Sequence, residues 1–217
     1  MKKILTLQIT ALIFISGALG GMFFFTDVYD EVYSGIVTTL CTSCIKLQPI
    51  ISLDFTFQTI NGEPHPDFVI DNLTNNGPMF IAYRTMVCDY CDYMEPLLEE
   101  IFGLEFEKED VFYETVNFSG KNVTFVHINK KFAKGELLEF QETYDIDEDN
   151  AVPMFTTITL KHDKNDDIVK PCYNTVYGIL DLEYTDQQRI EVLTNIILEG
   201  IELYNENRPG FISDLDM

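Results

Sequence analysis

Met86-Val87-Cys88-Asp89-Tyr90-Cys91-Asp92-Tyr93-Met94-Glu95-Pro96 decides the fold of this chain. An apolar run, Pro78 to Tyr83, leads toward it, and a helix-like run, Met94 to Phe102, comes after it. The pattern is strand, turn, helix, with two cysteines three residues apart at the helix start. Residues at that spacing share one face of a helical turn, so the two sulfurs lie within bonding reach. A redox-active dithiol is the first expectation. The competing expectation is a disulfide that only braces the turn.

The charge around this stretch narrows the choice. Of 217 residues, 36 are acidic and 14 basic, a net charge of −22. Phosphate binding needs clustered Lys and Arg, so nucleic acid is excluded as a partner. A polybasic grip on anionic lipid is disfavoured for the same reason. The five cysteines form two C-x-x-C pairs, Cys41/Cys44 and Cys88/Cys91, and leave Cys172 alone. The 44 positions from Cys44 to Cys88 are far more than a zinc ribbon uses. His65, His127 and His162 are scattered and make no metal spacing with the carboxylates, and no glycine-rich phosphate loop is present. No metal and no cofactor are expected.

Residues Ile4 to Phe25 run for 22 positions without a charge, after Lys2-Lys3 and before Asp27, Asp30 and Glu31. That length crosses roughly 30 Å of hydrocarbon as a helix. A basic start and an acidic exit place the rest of the chain outside the cytoplasmic membrane. Residues 1–25 are therefore expected to be a transmembrane signal anchor. The rival is a cleaved signal peptide, with Ala18 and Gly20 near the cut. Residues 26–53 are expected to form a juxtamembrane segment carrying Cys41 and Cys44, with a helix ending near Pro49. If that segment crosses the membrane instead, the domain returns to the cytoplasm. Three sequons, at Asn72, Asn117 and Asn122, are compatible with export.

Beyond residue 53 the pattern alternates strand and helix. Asp54 to Ile60 alternates loosely and ends at Asn61-Gly62, a hairpin-turn signal. Pro66 to Asn72 is a short helix or strand. Met79 to Tyr83 is a buried strand. The helix after Cys88 runs to about Phe102, with Pro96 deleting a backbone donor and kinking it. Val111 to Val116 is an edge strand, Asn117 to Asn122 a turn, and Val123 to Ile128 a strand. Phe132 to Tyr144 carries a helical stripe. Phe155 to Leu160 is a strand, and Lys161 to Asp167 a turn. Ile168 to Leu180 is a strand interrupted near Pro171-Cys172. Thr185 with Gln188 makes a capping box for a long helix through Tyr204. Alternating elements of this kind argue an α/β sandwich, a domain over residues 54–207 with a tail at 208–217.

These residues resemble the thioredoxin superfamily over about Phe55 to Asn205. Cys88-Asp89-Tyr90-Cys91 comes directly after a buried strand. Pro96 stands where thioredoxins have a helix proline. Val152-Pro153-Met154-Phe155 is similar to the family's cis-proline loop. The front stretch, Asp54-Phe-Thr-Phe to Glu63, further resembles membrane-anchored, extracytoplasmic members. The resemblance implies a thioredoxin-like sandwich with a central mixed β-sheet flanked by helices. It implies Cys88 as nucleophile, Cys91 as resolving thiol, and Val152 and cis-Pro153 as the place where an extended substrate pairs. It implies a thiol–disulfide oxidoreductase that takes cysteine-containing exported proteins as substrates and exchanges electrons with a further donor or acceptor. Cys41/Cys44 form a possible secondary redox pair. The chain departs from the family at Val87, where a Trp is usual, and at Ala82, where thioredoxin keeps a buried acid. At Cys88, the helix dipole favours a thiolate, whereas Asp89 and Asp92 oppose it. The alternative function is a redox-inert binding module, braced by a Cys88–Cys91 disulfide, with a peptide groove at Pro153.

Overall fold

Helix α1 (Asp67–Asn75) leads into strand β1 (Met79–Arg84). After β1 come α2 (Asp89–Phe102), the hairpin β2 (Val111–Phe118) and β3 (Lys121–Asn129), and the short α3 (Phe140–Tyr144). A second hairpin, β4 (Met154–Asp163) and β5 (Ile168–Tyr177), precedes the long α4 (Asp186–Asn207). The computed structural model describes residues 54–109, 111–147 and 150–211. The anchor expected at 1–25 and the segment 26–53, with Cys41 and Cys44, lie outside the described residues. Among the described residues no helix is long and apolar enough to cross a membrane.

The five strands form one mixed sheet, ordered β2-β3-β1-β4-β5. All six residues of β1 are buried, which suits the central place. It runs parallel to β3 and antiparallel to β4. The parallel pair needs a crossover, and α2 begins it. Side chains alternate through the sheet, so each face has its own core. Val69, Met79, Ile81, Val126, Phe140 and Tyr144 fill the face under α1 and α3. Phe80, Phe125, Phe155, Leu98, Leu193 and Ile197 fill the face under α2 and α4. The domain is thus α/β, a central mixed sheet flanked by helices, as expected.

Several local expectations are corrected. Asp54–Ile60 is no strand: only Thr56 bridges, to Tyr173 of β5. The turn is there, with Gly62 at φ 72° and its N–H donating to Thr59 O. Pro64 and Pro66 come next and lack the donors a returning strand needs. The edge strand beside β3 is β2, as expected for Val111 to Val116. The β2–β3 turn is tighter than expected, with only Ser119 and Gly120 at positive φ, the geometry that matches strand twist. The stripe from Phe132 to Tyr144 is not one helix. Gly135 sits at φ 57°, and the stretch divides into a 3-10 turn (Gly135–Leu138) and α3. β4 extends to Asp163, and β5 pairs with it without interruption through Pro171 and Cys172. Pro171 is tolerated because β5 is an edge strand. Of the three sequons, Asn72 is buried and bonds Gly77 O, Tyr113 and Thr124, whereas Asn117 and Asn122 are exposed. The capping box at Thr185 and Gln188 forms as expected.

Candidate active site

β1 ends at Arg84, and four residues later Cys88 begins α2 as its N-cap. Its backbone is extended (φ −157°, ψ 96°), which leaves the next residues free to start the helix. Its Sγ accepts the Cys91 backbone N–H at 3.1 Å. A sulfur there meets the unpaired donors and positive end of the helix dipole, both of which favour a thiolate once the bond is reduced. Cys88 and Cys91 are joined by a disulfide with Sγ atoms 2.04 Å apart.

The two sulfurs are not equivalent. Cys91 is 2 % exposed, on the inner face of α2 with Met94 and Leu98. Cys88 is half-buried, beside the exposed Val87 (89 %) and Tyr90 (54 %). An incoming thiol or disulfide therefore reaches Cys88 first. A shallow cavity of about 430 Å³ opens there, lined by Val87, Cys88, Asp89, Tyr90 and Val152. The Val152–Pro153 peptide bond is cis. Pro153 is buried and lines a second, much smaller cavity together with Cys91. The fold thus brings Cys88, Cys91, Val152 and Pro153 together from two elements distant in sequence. A larger groove of about 650 Å³ runs along β5 past Gln58, Ile146 and Tyr177, but no thiol lines it.

A polar cluster lies beneath the dithiol that the sequence did not single out. Arg84 is 2 % exposed and satisfied on all sides. Its Nε donates to Thr85 O at 3.0 Å, and its terminal nitrogens donate to Asp92 Oδ1 at 2.7 Å and to Glu95 Oε1. Hydrogen bonding and charge from Arg84, with help from Lys108, hold the Asp92 carboxyl below the usual carboxylate range. The opposition of Asp92 to a Cys88 thiolate is thus largely compensated. Glu95 also meets His127 of β3, whose Nε2 lies 3.2 Å from Oε1. His127 is 1 % exposed, packs its ring at a tilt against Phe106 with centroids 4.7 Å apart, and has no hydrogen-bond partner at Nδ1. Its register partner in β1 is Ala82. The signals that point to this cluster are modest: a charged residue ending an apolar strand, and a carboxylate one helical turn after Cys91.

Cys172 lies inside β5 and is fully buried. Burial pushes its thiol up to about 12, against a small opposing pull from Lys161, so it stays protonated and inert. Among the described residues no group of three or more His, Cys, Asp or Glu stands where it would hold a metal ion. Neither a family model nor a curated protein matches this chain.

Proposed function

We propose that this domain is a thioredoxin-like thiol–disulfide oxidoreductase acting on cysteines of proteins outside the cytoplasmic membrane, to which residues 1–25 anchor it. One observation carries the proposal: a bonded Cys88–Cys91 pair at a helix N-terminus, with one sulfur accessible and the other shielded. That asymmetry suits two-step exchange. In the reductive direction, the Cys88 thiolate attacks a substrate disulfide, a mixed disulfide forms, and the first substrate sulfur leaves. The Cys91 thiolate then attacks Cys88 Sγ, the internal disulfide closes, and the second substrate sulfur leaves. Two electrons pass from the dithiol to the substrate. The oxidative direction is the reverse. Val152, beside Cys88, is the place for the substrate backbone, and Val87 and Tyr90 offer apolar contact.

Insulin reduction driven by dithiothreitol tests this. Wild type is expected to reduce insulin well above background, and Cys88→Ser is expected to lose the activity. Cys91→Ser is expected to accumulate mixed disulfides on Cys88. Equal background rates in wild type and Cys88→Ser would leave the redox-inert binding module. Labelling of an engineered surface cysteine from outside intact cells tests the side of the membrane.

A further inference from the structure

The buried thiol raises a problem that the accessible one does not. Cys91 must lose a proton before it attacks Cys88, yet at 2 % exposure it has almost no water to give it to. The group that accepts this proton must border Cys91 inside the fold. The cavity touching Cys91 has a volume of about 10 Å³, room for about one water. The titratable groups lining it are Tyr83, Arg84, Glu95 and His127. Arg84 is a permanent cation. Burial pushes Tyr83 up to about 12, so it remains a neutral phenol and a poor acceptor. Glu95 and His127 are left.

Their arrangement is that of a base and its orienter. Glu95 lies four residues after Cys91 on one helix, which puts both side chains on the same face. Its Oε1 meets His127 Nε2 at 3.2 Å, and Arg84 holds the carboxylate from the other side. A carboxylate facing Nε2 favours the tautomer with the proton on that nitrogen. The lone pair then sits on Nδ1, which is buried and has no partner in the protein. A buried acceptor left unpaired costs free energy and calls for a role.

We infer that the Glu95–His127 pair accepts the Cys91 proton through the adjoining one-water cavity, so that the resolving thiol is activated by a base borrowed from the neighbouring strand β3. This rests on the oxidoreductase function proposed above. In the resolving step the Cys91 S–H bond breaks and its proton passes to the pair. The Cys91–Cys88 S–S bond forms, the Cys88–substrate S–S bond breaks, and the substrate sulfur leaves as a thiolate. No other oxidant or reductant enters. The charged groups facing the pair are Arg84 from β1, Asp92 from α2 and, through Asp92, Lys108 from the loop after α2. β4 and α4 contribute apolar side chains to this core, among them Phe155 and Leu193.

The test is stopped-flow mixing of reduced full-length protein with an aromatic disulfide that releases one coloured thiolate at each step. His127→Phe and Glu95→Gln are compared with wild type, each with its fold checked by circular dichroism. Both variants are expected to keep the first release within about twofold and to slow the second by about 10²-fold, the scale of general-base catalysis. Raising the pH is expected to close that gap, because hydroxide then takes the proton. A structural defect would not be repaired that way. Second releases equal to wild type in both variants, or a slow second release that pH does not restore, would overturn the inference while leaving the oxidoreductase intact. If wild type itself makes no first release, both fail together.

Discussion

Arg84 ends an otherwise apolar strand with its guanidinium buried, and two carboxylates of α2 answer it. The pair with Glu95, which is 17 % exposed, matters for stability, because losing the cation strands a partly buried carboxylate. Arg84→Met keeps the volume and removes the charge. It is expected to cost roughly 1–3 kcal/mol, below the full buried-pair figure because Glu95 retains some water. Urea unfolding checks this. The pair with Asp92 matters for the thiol. Asp92 is 47 % exposed, so its effect is one of direction. In a Cys91→Ser background, Asp92→Asn is expected to lower the Cys88 thiol pKa, and Arg84→Met to raise it. Thiolate absorbance against pH reads both, and the same direction in the two variants would refute the compensation.

Helix α4 packs so closely on β4 that one position has no room. Gly200 faces Thr157 and Thr159, and Thr159 Oγ1 donates to its carbonyl at 2.6 Å. A Cβ on Gly200 would stand 2.7 Å from Thr157 Cγ2. In an open helix, Gly→Ala gains up to about 1 kcal/mol. Here the clash with a stiff, buried Thr is expected to reverse the sign, with a net loss of about 1–2 kcal/mol. Thermal unfolding of Gly200→Ala measures it. The same scale explains which elements were legible in sequence. β1, α2, β3 and α4 announce themselves through runs, periodicity and caps, which are local properties. The front stretch Asp54–Ile60 carries the right alternation but finds only one bridging partner, a tertiary outcome that alternation does not encode. The Phe132–Tyr144 stripe reads as helix until Gly135 takes a left-handed φ. The site divides similarly. Cys88, Cys91 and Val152-Pro153 are local motifs. Arg84, Glu95 and His127 come from three elements and meet only when the sheet register sets Ala82 beside His127.

At the scale of the molecule, stability against acid is set by opposed effects. A net charge of −22 repels itself, and that repulsion eases as carboxylates take up protons. His65 works the other way. It is half-buried, with Nδ1 2.9 Å from the Tyr144 hydroxyl and its ring against Tyr173. Burial lowers it from 6.5 to about 4, with the nearby backbone of Phe57 and Pro171 only partly opposing. The unfolded chain therefore binds a proton below pH 6.5 that the folded domain refuses until about pH 4. The stability that His65 contributes is present above pH 6.5 and is lost as pH falls through this window. At about 1.4 kcal/mol per pKa unit the ceiling is roughly 3 kcal/mol, and partial access to solvent trims it. Carboxylate effects are common to any variant, so they cancel in a comparison. Urea titrations of wild type and His65→Gln between pH 7 and 4 are expected to diverge in slope, wild type losing more stability over the range. Parallel curves would mean that His65 protonates as easily in the fold as outside it.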